Sequence, residues 1–209
     1  MKKFKTSSII SAAFFFFVFG GTVVLYADAA KHGEERNNAW QEERKAEEYK
    51  GHEYNVLPFK TIVIGEEISV VMRTGAENRI TFFSPLNETV LKAEDLYKVQ
   101  NDTLYIISSP KFLNVECVEI NSILAQNSND VRINLGNISS NLNIKSENSN
   151  VYLGGLNAPS VTITFLQGYL ELIDVTTELL NIDLKDTKTK YHNLRAKNIN
   201  LKQENSQDL

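Results

Sequence analysis

Residues that carry chemistry are scarce in this chain. Cys117 is its single cysteine, which excludes an intramolecular disulfide framework and a four-cysteine zinc site. It stands in the alternating stretch Val115, Cys117, Ile120 and reads as a buried apolar thiol rather than a nucleophile. Histidine is limited to His32, His52 and His192, and no pair has the spacing of metal ligands. There is no Gly-x-Ser-x-Gly elbow. The glycines show no phosphate-cradling order, and Gly154-Gly155 reads as a turn. No catalytic residue, cofactor-binding residue or metal ligand is therefore assigned, and no cofactor is expected. Excess basic charge is missing too: 22 Lys and Arg stand against 26 Asp and Glu, for a net charge of −4. That leaves no footprint for nucleic acid. The hydrophobic share of 42% and charged share of 23% are globular values.

Charge is also absent from one continuous stretch. Lys2, Lys3 and Lys5 precede an uncharged run from Ile9 to Tyr26. As a helix rising about 1.5 Å per residue it would be roughly 27 Å long, close to the hydrocarbon core of a bilayer. The lysines should stay cytoplasmic, which places everything after residue 30 across the membrane. Residues 1–30 are thus a signal or transmembrane segment. Ala27-Asp28-Ala29 has the small-x-small form of a signal-peptidase site. The run is nevertheless long for a signal core, and Phe14 to Phe17 with Phe19 would hold it in lipid. A retained single-span anchor through residues 9–26 is the leading reading. A cleaved signal, leaving a secreted or periplasmic protein, is the alternative. No cysteine follows the run, so a lipid anchor is not expected.

Residues 31–55 form the next section, a charged spacer. Lys31/Glu35 and Arg44/Glu48 fall at i,i+4 and Glu47/Lys50 at i,i+3, spacings that support a helix. Its apolar face is too narrow to bury, so a solvated stalk is expected. A partner-binding helix anchored by Trp40 and Tyr49 is the functional alternative.

From residue 56 to 209 the helical period disappears. Short alternating runs such as Thr61-Ile62-Val63-Ile64, Thr103-Leu104-Tyr105-Ile106-Ile107 and Val131-Arg132-Ile133-Asn134-Leu135 lie between Asn, Ser, Gly and Asp clusters, the mark of half-buried strands. A repeat underlies the last third. Blocks beginning at Leu142, Val161, Leu180 and Ile199 follow one another every 19 residues. Their third positions are Ile144, Ile163, Ile182 and Leu201, and their fifteenth Leu156, Val175 and Leu194. Positions ten and twelve read Val151/Leu153, Leu170/Leu172 and Thr189/Tyr191. Position two reads Asn143, Thr162, Asn181 and Asn200, a candidate hydrogen-bonded ladder. A weaker block starts at Ile123, with Val131/Ile133 one residue out of register. A fixed period near 20 with two strand signals per period predicts a parallel β-solenoid of ~19-residue rungs. An antiparallel sandwich with evenly spaced hairpins is the alternative. The tail Lys202 to Asp208 is polar, which suits a capped end.

The segment Pro58-Phe59-Lys60-Thr61-Ile62-Val63-Ile64-Gly65, then Ile68-Ser69-Val70-Val71-Met72, Arg79-Ile80-Thr81-Phe82 and Asn101-Asp102-Thr103-Leu104-Tyr105-Ile106, resembles the opening of a known family. This is the family called putative auto-transporter adhesin, head GIN domain, found in envelope proteins of Bacteroidetes-like bacteria. The resemblance covers about residues 57–202. It implies an all-β fold with a right-handed parallel β-helix-like stack after the first sheet, and an adhesin-like role with no catalytic residues. Members often carry an N-terminal lipoprotein cysteine, and this chain does not.

Parallel β-helices that cleave polysaccharides stack carboxylates on one face. Here Glu147 and Asp186 fall at block positions six and seven with Gln167, while Asp183, Glu171 and Asp174 fall at four, eleven and fourteen. Glycoside hydrolysis needs two carboxyls roughly 5–9.5 Å apart, and this scatter builds no such pair. Tyr152, Tyr169 and Tyr191 come from neighbouring blocks but at positions eleven, nine and twelve, with Tyr191 expected to point inward. The expectation is a non-catalytic cell-envelope protein displaying its β region for adhesion, binding or a structural role, with a protein or glycan partner. A carbohydrate-active enzyme and a membrane-linked sensor are the alternatives.

Overall fold

The computed structural model describes residues 49–85, 92–108 and 112–209. The segment 1–30 and the spacer as far as residue 48, including His32 and Trp40, lie outside the described residues. Among those described, no helix is long and apolar enough to cross a membrane. The strands are β1 (Tyr49–Asn55), β2 (Thr61–Ile64), β3 (Ser69–Thr74), β4 (Arg79–Pro85), β5 (Tyr97–Gln100), β6 (Thr103–Ile106), β7 (Phe112–Cys117), β8 (Ser122–Gln126), β9 (Asp130–Asn137), β10 (Leu142–His192), β11 (Arg195–Glu204) and β12 (Gln207–Asp208). A helical turn, Ala93–Leu96, precedes β5. All strands join one curled, mixed sheet.

Alternation decides which side of each strand is buried. Ile62 and Ile64, Leu104 and Ile106, and Ile123 and Ala125 turn inward from β2, β6 and β8. Parallel pairing then stacks like on like. Leu104 lies beside Ile62, Ile62 beside Ile123 and Ile123 beside Ile144. In a second parallel ladder Leu113, Val70, Val131 and Val151 form one column, with Val115, Met72, Ile133 and Leu153 in the next. Burying each such side chain contributes about 1.5–3 kcal/mol.

Strand β10 would reach roughly 170 Å if straight. It bends instead at residues with left-handed backbone: Asn148, Gln167 and Asp186, followed by Asn205, each 19 residues after the last. Gly155, Asp174 and Asn193 form a second such series. Glycine, asparagine and aspartate tolerate this conformation best, so the polar residues between the strand signals are corners. Parallel pairing resumes with the same step: Leu180 lies beside Ile199 and Ile182 beside Leu201. The expected ladder at position two forms across its last three members, with Asn200 Nδ2 donating to Asn181 Oδ1 (2.8 Å) and Asn181 Nδ2 to Thr162 Oγ1 (3.4 Å).

The structure corrects three expectations. The uniform parallel stack gives way to a mixed sheet, because β1–β4, β4–β7 and β5–β6 pair antiparallel. The 19-residue repeat does not extend into this half, and local turns set the pairing there. Asn101 and Asp102, both at positive φ, form the two-residue hairpin between β5 and β6. Second, Tyr49–Asn55, placed in the helical spacer, is a strand. Tyr54 packs edge-on against Phe82 and Tyr97, each at 6.0 Å, and such cross-strand contacts override helical charge spacing. Third, the block does not start at Ile123, which pairs with Ile144 rather than Leu142; Val131 does pair with Val151, the one-residue offset expected. The polar tail joins the sheet as its last turn of chain: Lys202 pairs beside Asp183 and Gln207 beside Lys188, and Asp208 accepts a hydrogen bond from the Thr189 hydroxyl.

An ion cluster secures the antiparallel end. Glu116, 13% exposed, accepts from Arg79 Nη2 (2.6 Å) and Arg73 Nε (2.8 Å), while Arg79 also reaches Glu53 (3.3 Å). The bonds from Arg79, and then Arg73, hold the Glu116 carboxyl below the usual carboxylate range. A depressed carboxyl stabilises the fold above its unfolded pKa and loses that effect as pH falls through its folded one. Glu116→Gln is therefore expected to cost about 2 kcal/mol at neutral pH. The gap to wild type should narrow below about pH 4. Thermal melts across pH check this, and a gap independent of pH would refute it. Next to it, Cys117 is fully buried, and burial pushes its thiol up to about 11, in keeping with an inert apolar residue.

Candidate functional site

The outward side of the second ladder carries the densest mixture of rings and charges. Val151, Leu153, Leu170 and Leu172 point inward, so alternation turns Tyr152, Tyr169 and Glu171 outward. Tyr152 and Tyr169 come from successive blocks and meet diagonally, their ring centroids 5.6 Å apart at 55°. Arg132, beside Tyr152 in the ladder, places its guanidinium 5.7 Å from that ring and pairs with Asp130 at 2.9 Å. The Tyr169 hydroxyl donates to Glu171 Oε2 (3.1 Å). Partial burial, and then this bond, raise the hydroxyl's pKa above its ordinary value. His192 Nε2 lies 3.4 Å from Glu171 Oε1, and the Glu171 side chain is only 15% exposed. Asn150 Nδ2 is tied to the Asn129 carbonyl at 3.0 Å. The result is a flat polar face with two adjoining rings, held by a hydrogen-bonded sheet.

The other expected aromatic behaves as its position suggests. Tyr191 packs against the core, and burial raises its hydroxyl's pKa. Nothing in a one-dimensional repeat shows the meeting of Tyr152 with Tyr169, because the contact is diagonal between blocks. Nor does it show His192 reaching Glu171.

The candidate carboxylates are dispersed by the corners. Asp186 and Gln167 occupy left-handed corner positions. Glu147 stands beside Asn148, the corner residue two blocks before Asp186, roughly 10 Å back along the stack. Asp183 pairs with Lys202 (3.1 Å), and Asp174, itself a corner, accepts from Asn193 Nδ2 (2.6 Å). Two facing carboxyls with room for one water are not assembled from these residues. Among the described residues no three His, Cys, Asp or Glu side chains group as they would to hold a metal ion. A depression of about 270 Å³ near Phe59 and Val118 is lined by Lys60 and Glu119, themselves an ion pair at 3.2 Å.

No family model matches the chain, and no curated protein matches it. Among solved structures it is similar to a putative adhesin from Bacteroides fragilis, at 13% identity and a TM-score of 0.40, covering 77% of this chain and 96% of that one. A putative adhesin from Parabacteroides distasonis is similar at 9% identity and a TM-score of 0.34, covering 78% and 97% of the two chains. A putative lipid binding protein from Parabacteroides distasonis is similar at 10% identity and a TM-score of 0.35, covering 77% and 96%.

Proposed function

We propose that this chain is a non-catalytic protein of the cell envelope that displays its β region outside the cytoplasm for adhesion or binding. On this reading residues 9–26 hold it in the membrane, or direct its export if cleaved. Residues 142–209 wind as a right-handed parallel β-helix-like stack. The carrying observation is the outward pair Tyr152 and Tyr169 at 5.6 Å on a rigid ladder. Such half-buried, outward-turned rings supply contact area with little entropy to lose on binding.

The test is an array of envelope and matrix proteins and glycans probed with the full-length chain. Binding to at least one class is expected, weakened about tenfold in Tyr152→Ala/Tyr169→Ala, which is about 1.4 kcal/mol. An unchanged double variant would overturn the assigned face. Turnover of any glycan by the wild type would overturn the non-catalytic role.

A further inference from the structure

We propose that the Tyr152–Tyr169 face takes an acidic polysaccharide, its rings stacking on sugar and its anionic groups meeting Lys188 and Lys190. This rests on the binding role assigned to that face above. Thr187 and Thr189 are buried, so Lys188 and Lys190 lie on the outward side of the same strand, roughly 7 Å apart. The 19-residue step that sets Gln207 beside Lys188 also sets Lys188 beside Tyr169 and Lys190 beside Glu171. A cationic row thus adjoins the aromatic pair.

These lysines differ from their neighbours in being uncompensated. Lys185 pairs with Glu204, Lys197 with Glu178, Lys202 with Asp183 and Arg132 with Asp130. Lys188 and Lys190 have no ion pair among the described residues. Glu171, the acid nearest Lys190 in register, is engaged by the Tyr169 hydroxyl and His192. Two free ammonium groups therefore stand beside two rings on a chain whose net charge is −4. General attraction of polyanions is weak for such a chain, and the recognition has to be local.

The shape selects a polymer. Small-molecule sites are concave and enclose most of the ligand, whereas this face is flat and open. An extended chain can touch several columns at once and accumulate modest contacts, with stacking on the rings and charge-assisted bonds to the lysines. A lipid surface fits less well. The outward apolar side chains on the face are Val71 and Ile173, 38% and 37% exposed, with Val71 separated from the ring pair by Arg132, and the Tyr169 hydroxyl is committed to Glu171 rather than free to sit among headgroups.

The experiment measures binding of the full chain in detergent to four probes. They are polygalacturonate, the same polymer fully methyl-esterified, chondroitin sulfate, and vesicles of phosphatidylcholine with phosphatidylserine. At least one acidic polymer should bind at low salt, weakening as salt rises, and esterification should weaken binding at least tenfold. Lys188→Gln/Lys190→Gln should remove the same factor without changing the melting temperature. Equal binding of the esterified polymer would overturn the acidic class while leaving the binding face intact, provided Tyr152→Ala/Tyr169→Ala still weakens it about tenfold. Vesicle binding without polysaccharide binding would overturn it in favour of a lipid surface. Failure of both acidic polymers to bind would overturn it outright. The binding face itself fails separately, if the tyrosine variant leaves every interaction on the wider array unchanged.

Discussion

Gly168→Ala is expected to destabilise the fold by more than about 4 kcal/mol, the range reserved for severe backbone or core disruption. Gly168 has φ of +119°, and an added Cβ would stand 2.1 Å from the Ser149 carbonyl oxygen and 3.0 Å from its carbonyl carbon and nitrogen. Those are backbone atoms of the preceding block, so no side-chain rotation relieves the clash. Ser149 cannot give way cheaply either. It is buried, its hydroxyl donates to the Glu147 carbonyl at 2.8 Å, and its Oγ accepts from the Ser128 N–H at 3.0 Å. Strain from the left-handed backbone adds about 1–3 kcal/mol. Gly154→Ala is the control, because its added Cβ would meet the Ile173 carbonyl oxygen at an ordinary 3.8 Å. Thermal melts should show the Gly168 variant lower by roughly 10 °C or more, with the Gly154 variant close to wild type. Equal melting of the two would contradict the stacking of Gly168 on Ser149.

Ile163→Ala and Leu201→Ala should differ by a factor of about three in cost, although both residues occupy the third position of the repeat. Ile163 is fully buried between neighbouring blocks, whereas Leu201 on the last block is 48% exposed, as Ile199 beside it is 52% exposed. Truncating a buried isoleucine costs about 2–5 kcal/mol, from lost transfer energy and the cavity left behind. Leu201 already faces water on one side and creates no enclosed cavity, so about 1 kcal/mol is expected. Urea denaturation read as a shift in midpoint separates the two. Equal costs would mean that the last block is covered in solution.

The repeat was legible because stacking makes a linear demand on sequence. Each inward column needs an aliphatic residue once per turn of chain, and Leu142, Val161 and Leu180 meet it at full burial. The corners belong to the same pattern, but their residue types also fit chemical roles. Asp174, Gln167 and Asp186 are candidate acids or amides by residue type, yet their common feature is a positive φ. Side-chain identity does not separate an acid chosen for its charge from one chosen for its tolerance of that backbone. The binding face was half legible: alternation turns Tyr152 outward, but ring contact depends on the lateral offset of adjacent strands.

The first half behaves differently. Ile62, Val70 and Phe82 announce strands, and nothing in their order says that β4 runs antiparallel to β7 while β3 runs parallel to it. Pairing direction there depends on hairpin turns and on long-range partners such as Glu116 with Arg73 and Arg79, which lie far apart along the chain. By itself the sequence determined an all-β region, the 19-residue step and the inward columns, since each follows from local alternation repeated at fixed spacing. Only the tertiary structure decided the mixed sheet, the strand made from Tyr49–Asn55, the exposed last block and the meeting of Tyr152 with Tyr169. Those features arise from which strands become neighbours, and no residue specifies its neighbour alone.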